Sequence, residues 1–134
     1  IQRKVQLWIH GDQTTATLKI SSDGSYNGTY ADKDGKQKEF GGGGVAFNPD
    51  GSERSLTEEE IMEELNAPDI EYEKDGSVIL YYKNQSIYIT HKFNKDNICY
   101  VKLVDGDASL YVTVKYNNGC AYSPNKYISP LEFN

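Results

Sequence analysis

The side chains best placed to do chemistry in this sequence are tyrosines, and the chemistry they offer is recognition. There are eleven of them, against one Trp and one Met. Apolar-alternating runs at 78–82, 86–93, 98–104 and 109–116 have the period of two that marks strands, and they lack helical recurrence. A turn centred on Asn84-Gln85 sets Tyr81 opposite Tyr88. A two-residue turn at Asp105-Gly106 makes Val104 face Asp107, Leu103 face Ala108, Val101 face Leu110 and Cys99 face Val112. Tyr100 then faces Tyr111 on the other side, with Lys102 and Lys115 nearby. Tyr81, Tyr88, Tyr100 and Tyr111 are thereby expected on one sheet surface. Rigid amphipathic rings of this kind stack on sugars, peptides or small apolar molecules, and their hydroxyls orient what is bound. The competing reading makes the same face a second core layer, covered by the N-terminal strands or lining a barrel.

Other chemistry finds little footing. His10 and His91 are isolated, neither has the spacing of a zinc motif, and His91 falls in phase with Ile87, Ile89 and Phe93 as a core-facing histidine. No metal and no cofactor is expected. Asn48, Asp50, Ser52 and Glu59 stand at positions one, three, five and twelve of a calcium-type loop, but Glu53 occupies the place that needs glycine, so a plain turn and helix cap is the better reading. No serine lies in Gly-x-Ser-x-Gly, and catalysis is not expected. Gly41 to Gly44 reads as a flexible crossover; no Gly-Lys-Ser/Thr follows to make it a phosphate loop. Cys99 and Cys120 form a disulfide only if the chain breaks from its strand near Tyr116. With a second turn at Asn118-Gly119, the two sulfurs stand ~16 Å apart.

The elements that position these residues are short. Val5, Leu7 and Ile9 alternate with Trp8 on the opposite face, and Ala16, Leu18 and Ile20 lead into Ser21-Ser22-Asp23-Gly24, a hairpin signal. Tyr26 and Tyr30 flank Gly28 on the next strand, Asp32 to Gly35 turns the chain, and 36–40 makes a short edge strand with lysines that discourage edge pairing. One helix is expected over 57–66. Thr57 and Glu60 form a capping box, three glutamates suit the first turn, and Asn66-Ala67-Pro68 ends it. Ile61, Met62 and Leu65 must dock on a sheet, because a helix this short does not stand alone.

Length and charge bound the rest. At 134 residues the chain is read as one β-rich domain, 1–134. Its net charge of −6 argues against nucleic-acid binding. Eleven acids against Arg54 and Lys74 give −9 over residues 50–75. Glu58, Glu59, Glu63 and Glu64 are either a solvated helix face or a surface for a basic protein partner, as in an inhibitor or immunity-type module. No apolar run reaches the ~20 residues of a membrane span. The start at Ile1 and the richness in Tyr, Thr, Asn, Ser and Gly point to a processed, exported chain in the extracellular space or cell envelope.

The stretch Thr17-Leu18-Lys19-Ile20-Ser21-Ser22-Asp23-Gly24-Ser25-Tyr26-Asn27-Gly28-Thr29-Tyr30 resembles a repeated phrase of small Gram-positive exported lipoproteins that carry calycin-like (lipocalin-type) barrels. The resemblance covers about fifteen residues. It implies a lipid anchor upstream of Ile1 and a pocket for a small apolar ligand, and it assigns no binding residue. The expected fold is mostly β: an antiparallel barrel or two-sheet sandwich of about eight to ten strands with one helix, or failing that an α+β roll. The expected function is non-catalytic binding of a small molecule, glycan or peptide.

Overall fold

Turn residues cut this chain into short antiparallel strands, and a computed structural model describes residues 2–133. Ile1, on which the expectation of a processed start rests, lies outside the described residues. The fold is mostly β, with four antiparallel sheets, and its contacts gather into two compact units that divide between Ala67 and Pro68. Among the described residues no sheet closes into a barrel. Among the described residues the strands number twelve where about eight to ten were expected, several of them only three or four residues long.

The first unit contains β1 (Gln2–Ile9), β2 (Asp12–Ile20), β3 (Tyr26–Ala31) and β4 (Gln37–Gly42) in one sheet, in chain order. A two-stranded ribbon of β5 (Val45–Phe47) and β6 (Glu53–Ser55) follows, then the helix α1 (Glu58–Leu65). The glycine run is no free crossover. Gly41 and Gly42 continue β4 opposite Asn27 and Tyr26, and the Tyr26 ring occupies the space that a side chain at Gly42 would need. The helix begins as the capping box requires: Thr57 accepts from the Glu60 N–H, and Glu60 accepts from the Thr57 N–H at 2.9 Å. Ile61 is fully buried with Leu18 and Tyr26, and Met62 and Leu65 pack against them. Arg3 pairs with Glu58 at 3.2 Å, and the Trp8 N–H donates to Asn66 Oδ1 at 3.1 Å, so both ends of the helix are tied to β1.

The second unit is a sandwich of two three-stranded sheets. One orders β7 (Asp69–Tyr72), β8 (Val78–Tyr82) and β9 (Gln85–Tyr88); the other orders β10 (Ile98–Asp105), β11 (Ala108–Lys115) and β12 (Cys120–Ser123). Val78 and Leu80 from the first sheet and Ile89, just after β9, share one buried core with Cys99, Leu103, Val112 and Val114 from the second. A 3-10 turn, Pro130–Glu132, follows β12.

The register differs from expectation by two residues in both hairpins. Val101 faces Val112, Leu103 faces Leu110 and Cys99 faces Val114, around a turn at Gly106-Asp107. Gly106 there has φ 61°, the conformation that favours glycine at the first central position of such a turn. Tyr81 likewise faces Ser86, and Tyr88 faces Ile79, across Lys83-Asn84. A two-residue slip changes partners and preserves faces, so Cys99, Val101, Leu103, Leu110, Val112 and Val114 share the core face as alternation predicts, while Ala108, expected with them, is exposed beside the turn.

Five turns share one design, at 21–25, 32–36, 48–52, 73–77 and 94–98. In each, the first residue's N–H donates to the fifth's carbonyl and its carbonyl accepts from the fourth's N–H, all at 2.8–3.1 Å. The third residue is Asp every time, and the fourth takes positive φ as Gly24, Gly35, Gly51, Gly76 or Asn97. Asp23 and Asp50 accept from the hydroxyl and then the N–H of Ser25 and Ser52, and Asp75 accepts from the N–H and then the hydroxyl of Ser77; these bonds hold the three carboxyls below the usual carboxylate range. The calcium-like spacing at Asn48 is thus one of these turns, with Asp50 committed to Ser52.

Candidate functional site

The sandwich of the second unit uses one face of each sheet for its core and leaves the other facing outward. In β8 and β9, Val78, Leu80 and Ile87 point inward, so Ile79, Tyr81, Ser86 and Tyr88 point out. Along that outward face Ile79 is buried, Tyr81 half-buried and Tyr88 63 % exposed. Two open hollows meet at Tyr88. One of about 610 Å³ is lined by Glu73, Lys74, Asp75, Ser77, Ile79, Tyr81 and Tyr88. The other, of about 540 Å³, adds Thr90, His91 and Lys92 to Tyr88, Asp75, Gly76 and Ser77.

Local structure explains why those side chains converge. The turn 73–77 projects Asp75 beside Ser77, which donates its N–H to Asp75 Oδ1 at 2.9 Å and keeps the carboxylate charged. Pairing between β8 and β9 stops after Ile89, because Thr90 Oγ1 accepts the Val78 N–H at 3.0 Å in place of a main-chain carbonyl. The chain then turns, Lys92 N–H to Ile89 O at 2.9 Å, and brings His91 and Lys92 to the rim. His91 is therefore exposed and not core-facing: the strand that was to carry its phase, 86–93, ends at Tyr88. Asp75, Ser77, Thr90 and Lys92 were missed as site residues. For Asp75 and Ser77 the signal in the sequence was the repeated x-x-Asp-Gly-Ser turn, which places an acid and a hydroxyl at a sheet edge; Thr90 and Lys92 had no such signal.

The four tyrosines do not share one surface. Tyr81 and Tyr88 lie on the outward face of the β7–β9 sheet, and Tyr100 and Tyr111 on that of the β10–β12 sheet, because each sheet turns its other face to the common core. Tyr100 faces Thr113, and Tyr111 faces Lys102, whose ammonium sits 5.5 Å from its ring centroid. This second pair is already in use. Tyr127 packs edge-on against Tyr100 at 5.3 Å and against Tyr111 at 5.1 Å.

Of the remaining candidates, His10 sits with Gly11 in the tight β1–β2 turn, at φ 48° and 88°. The cysteines are free thiols. Cys99 on β10 and Cys120 on β12 both pair with Val114, which stands between them. Two strand spacings, about 10 Å, exceed the ~7 Å between Cα atoms that a disulfide spans, so no bridge forms. Burial pushes both thiols up from their ordinary pKa. In the acidic helix, Glu58 pairs with Arg3 and Glu64 accepts from the Tyr26 hydroxyl at 2.8 Å. Burial, and then Glu64, push Tyr26 up to about 12. Arg54 grips Glu60 through two nitrogens at 2.7 and 3.2 Å, which with the Thr57 N–H holds Glu60 down at about 2. Glu59 and Glu63 remain exposed.

No protein family, no curated protein and no solved structure matches this chain. Among the described residues no helix is long and apolar enough to cross a membrane.

Proposed function

We propose that this protein is a non-catalytic binding module of the cell envelope or extracellular space, and that it receives a glycan chain across the outward face of β7–β9. The observation that carries this reading is Tyr88, 63 % exposed where two open hollows of about 610 and 540 Å³ meet. An exposed ring offers a flat apolar face to a sugar's C–H bonds. Asp75, Ser77, Thr90, His91 and Lys92 around it supply acceptors and donors for hydroxyls. A small apolar ligand is a poorer fit, since such molecules favour enclosed concave sites and this face is open. Export rests on the composition and on the phrase at 17–30, which forms the β2–β3 hairpin. The acidic helix is the weaker candidate, because Glu58 and Glu64 are engaged by Arg3 and Tyr26.

The test is an array of oligosaccharides and peptides probed with the wild-type protein and with Tyr88→Ala. Oligosaccharide binding that is lost in Tyr88→Ala, with an unchanged circular dichroism spectrum, supports the reading. Binding only to peptides, or glycan binding indifferent to Tyr88, overturns it.

A further inference from the structure

We propose that Asn118 is a site of spontaneous modification, where the side-chain amide is lost through attack by the Gly119 main-chain nitrogen. Asn-Gly occurs twice in the chain, at Asn27-Gly28 and Asn118-Gly119, and Asp-Gly five times, at Asp23, Asp34, Asp50, Asp75 and Asp105. In each, glycine offers an unhindered main-chain nitrogen, one five-membered ring away from the carbonyl carbon of the preceding side chain. What separates them is whether that nitrogen, and the peptide plane that carries it, can turn.

In four of the Asp-Gly turns it cannot. Gly24, Gly35, Gly51 and Gly76 each donate their N–H to the carbonyl of the first turn residue at 2.9–3.1 Å. A carboxylate is also a poor target for a nucleophile, and that of Asp105 is paired with Lys83. Gly28 is locked in another way. It lies on β3 between Leu18 of β2 and Phe40 of β4, with Thr17 O 2.7 Å from where a Cβ would stand. Turning its peptide would break the ladder. The turn 115–119 is built differently. Lys115 N–H donates to Gly119 O at 2.9 Å and Asn118 N–H donates to Lys115 O at 2.8 Å, so glycine stands fifth and uses its carbonyl. Among the described residues neither the Asn118 carbonyl nor the Gly119 N–H makes a hydrogen bond. That peptide unit can turn while the bonds on either side of it persist. Gly119 has φ 89°, and residues 117–119 are exposed to water.

The Gly119 nitrogen bonds to Asn118 Cγ, the Cγ–Nδ2 bond breaks, and ammonia leaves with the proton that Gly119 gives up. Water then opens the cyclic imide at either carbonyl. One opening yields aspartate; the other yields isoaspartate, in which the main chain runs through the β carbon. Both put a carboxylate where a neutral amide stood. The change falls where Tyr116 N–H donates to Asn97 O at 3.0 Å and Asn117 N–H to the Tyr72 hydroxyl at 2.9 Å, in the turn that aligns β12.

The test incubates the full chain in mildly alkaline buffer, folded or in urea, and maps its peptides by mass spectrometry with an enzymatic isoaspartate assay. In the folded protein Asn118 should convert at least ~10-fold faster than Asn27, which must wait for β3 to open. In urea the two should convert at comparable rates. Asn118→Gln, whose side chain would have to close a larger ring, should remove the rapid charge change seen on isoelectric focusing. Four results overturn the proposal: Asn27 converting as fast as Asn118 in the folded chain, a gap between them that persists unchanged in urea, isoaspartate appearing first at an Asp-Gly turn, or Asn118 intact when folded yet converted in urea. If Asn118→Gln does not fold, the peptide map of the wild type decides alone.

Discussion

A single methyl group at Gly28 should destabilise the first unit, and the structure says by which contacts. Gly28 lies on β3 opposite Phe40, whose ring covers it. A Cβ there would stand 2.3 Å from Phe40 Cζ and 2.7 Å from the Thr17 carbonyl oxygen. The ring can swing away; the β2 main chain cannot do so without disturbing its ladder. Overpacking of this kind costs about 1–3 kcal/mol. Alanine's smaller unfolded-state entropy returns about 0.4–1 kcal/mol, so Gly28→Ala should lose on the order of 1–2 kcal/mol. Urea unfolding followed by Trp8 fluorescence reads this, since Trp8 is the only tryptophan and lies on β1. Adding Phe40→Leu removes the nearer obstacle and leaves Thr17 O, so the double variant should recover only part of the interaction. A Gly28→Ala protein as stable as wild type, or full relief by Phe40→Leu, would show that β2 and β3 are not as closely apposed as argued.

Leu103→Ala empties a fully buried position and should cost about 2–5 kcal/mol, while exposed Lys102→Ala should stay within ~0.5 kcal/mol by the same urea assay. Acid should act through Glu60, whose folded pKa of about 2 lies below its ordinary 4.5. The stability it confers is fully present above 4.5 and is lost as pH falls toward 2, so Glu60→Gln should flatten the acid limb of the melting curve in that window. Intact mass under non-reducing conditions should show two thiols, and a thiol reagent should modify Cys99 and Cys120 only slowly until the protein is unfolded.

The faces of the strands were legible in the sequence; their partners were less so. Alternation assigned Cys99, Leu103, Val112 and Val114 to the core, because side-chain direction depends only on parity. Register depends on which residues occupy the turn, and Asp105-Gly106-Asp107 admits two placements that differ by two residues. The helix was legible because its signals are local: Thr57, Glu60 and Asn66 act within one turn of their own positions. Long-range geometry was not. No local signal tells that Thr90 ends a ladder by accepting from Val78, twelve residues away, and so exposes His91. Nor does alternation reveal that Tyr81 and Tyr100 belong to different sheets, or that Tyr127 returns to cover Tyr111. The site on β7–β9 was therefore half visible, as its tyrosines without their polar neighbours.

The most direct test of the binding face is an NMR titration of the wild-type protein with an oligosaccharide that it retains on the array. Shift changes should concentrate at Asp75, Ser77, Tyr81, Tyr88, Thr90, His91 and Lys92, and should vanish in Tyr88→Ala. Changes concentrated instead at Tyr100, Tyr111 and Tyr127, or on the Glu59 and Glu63 side of the helix, would contradict the account.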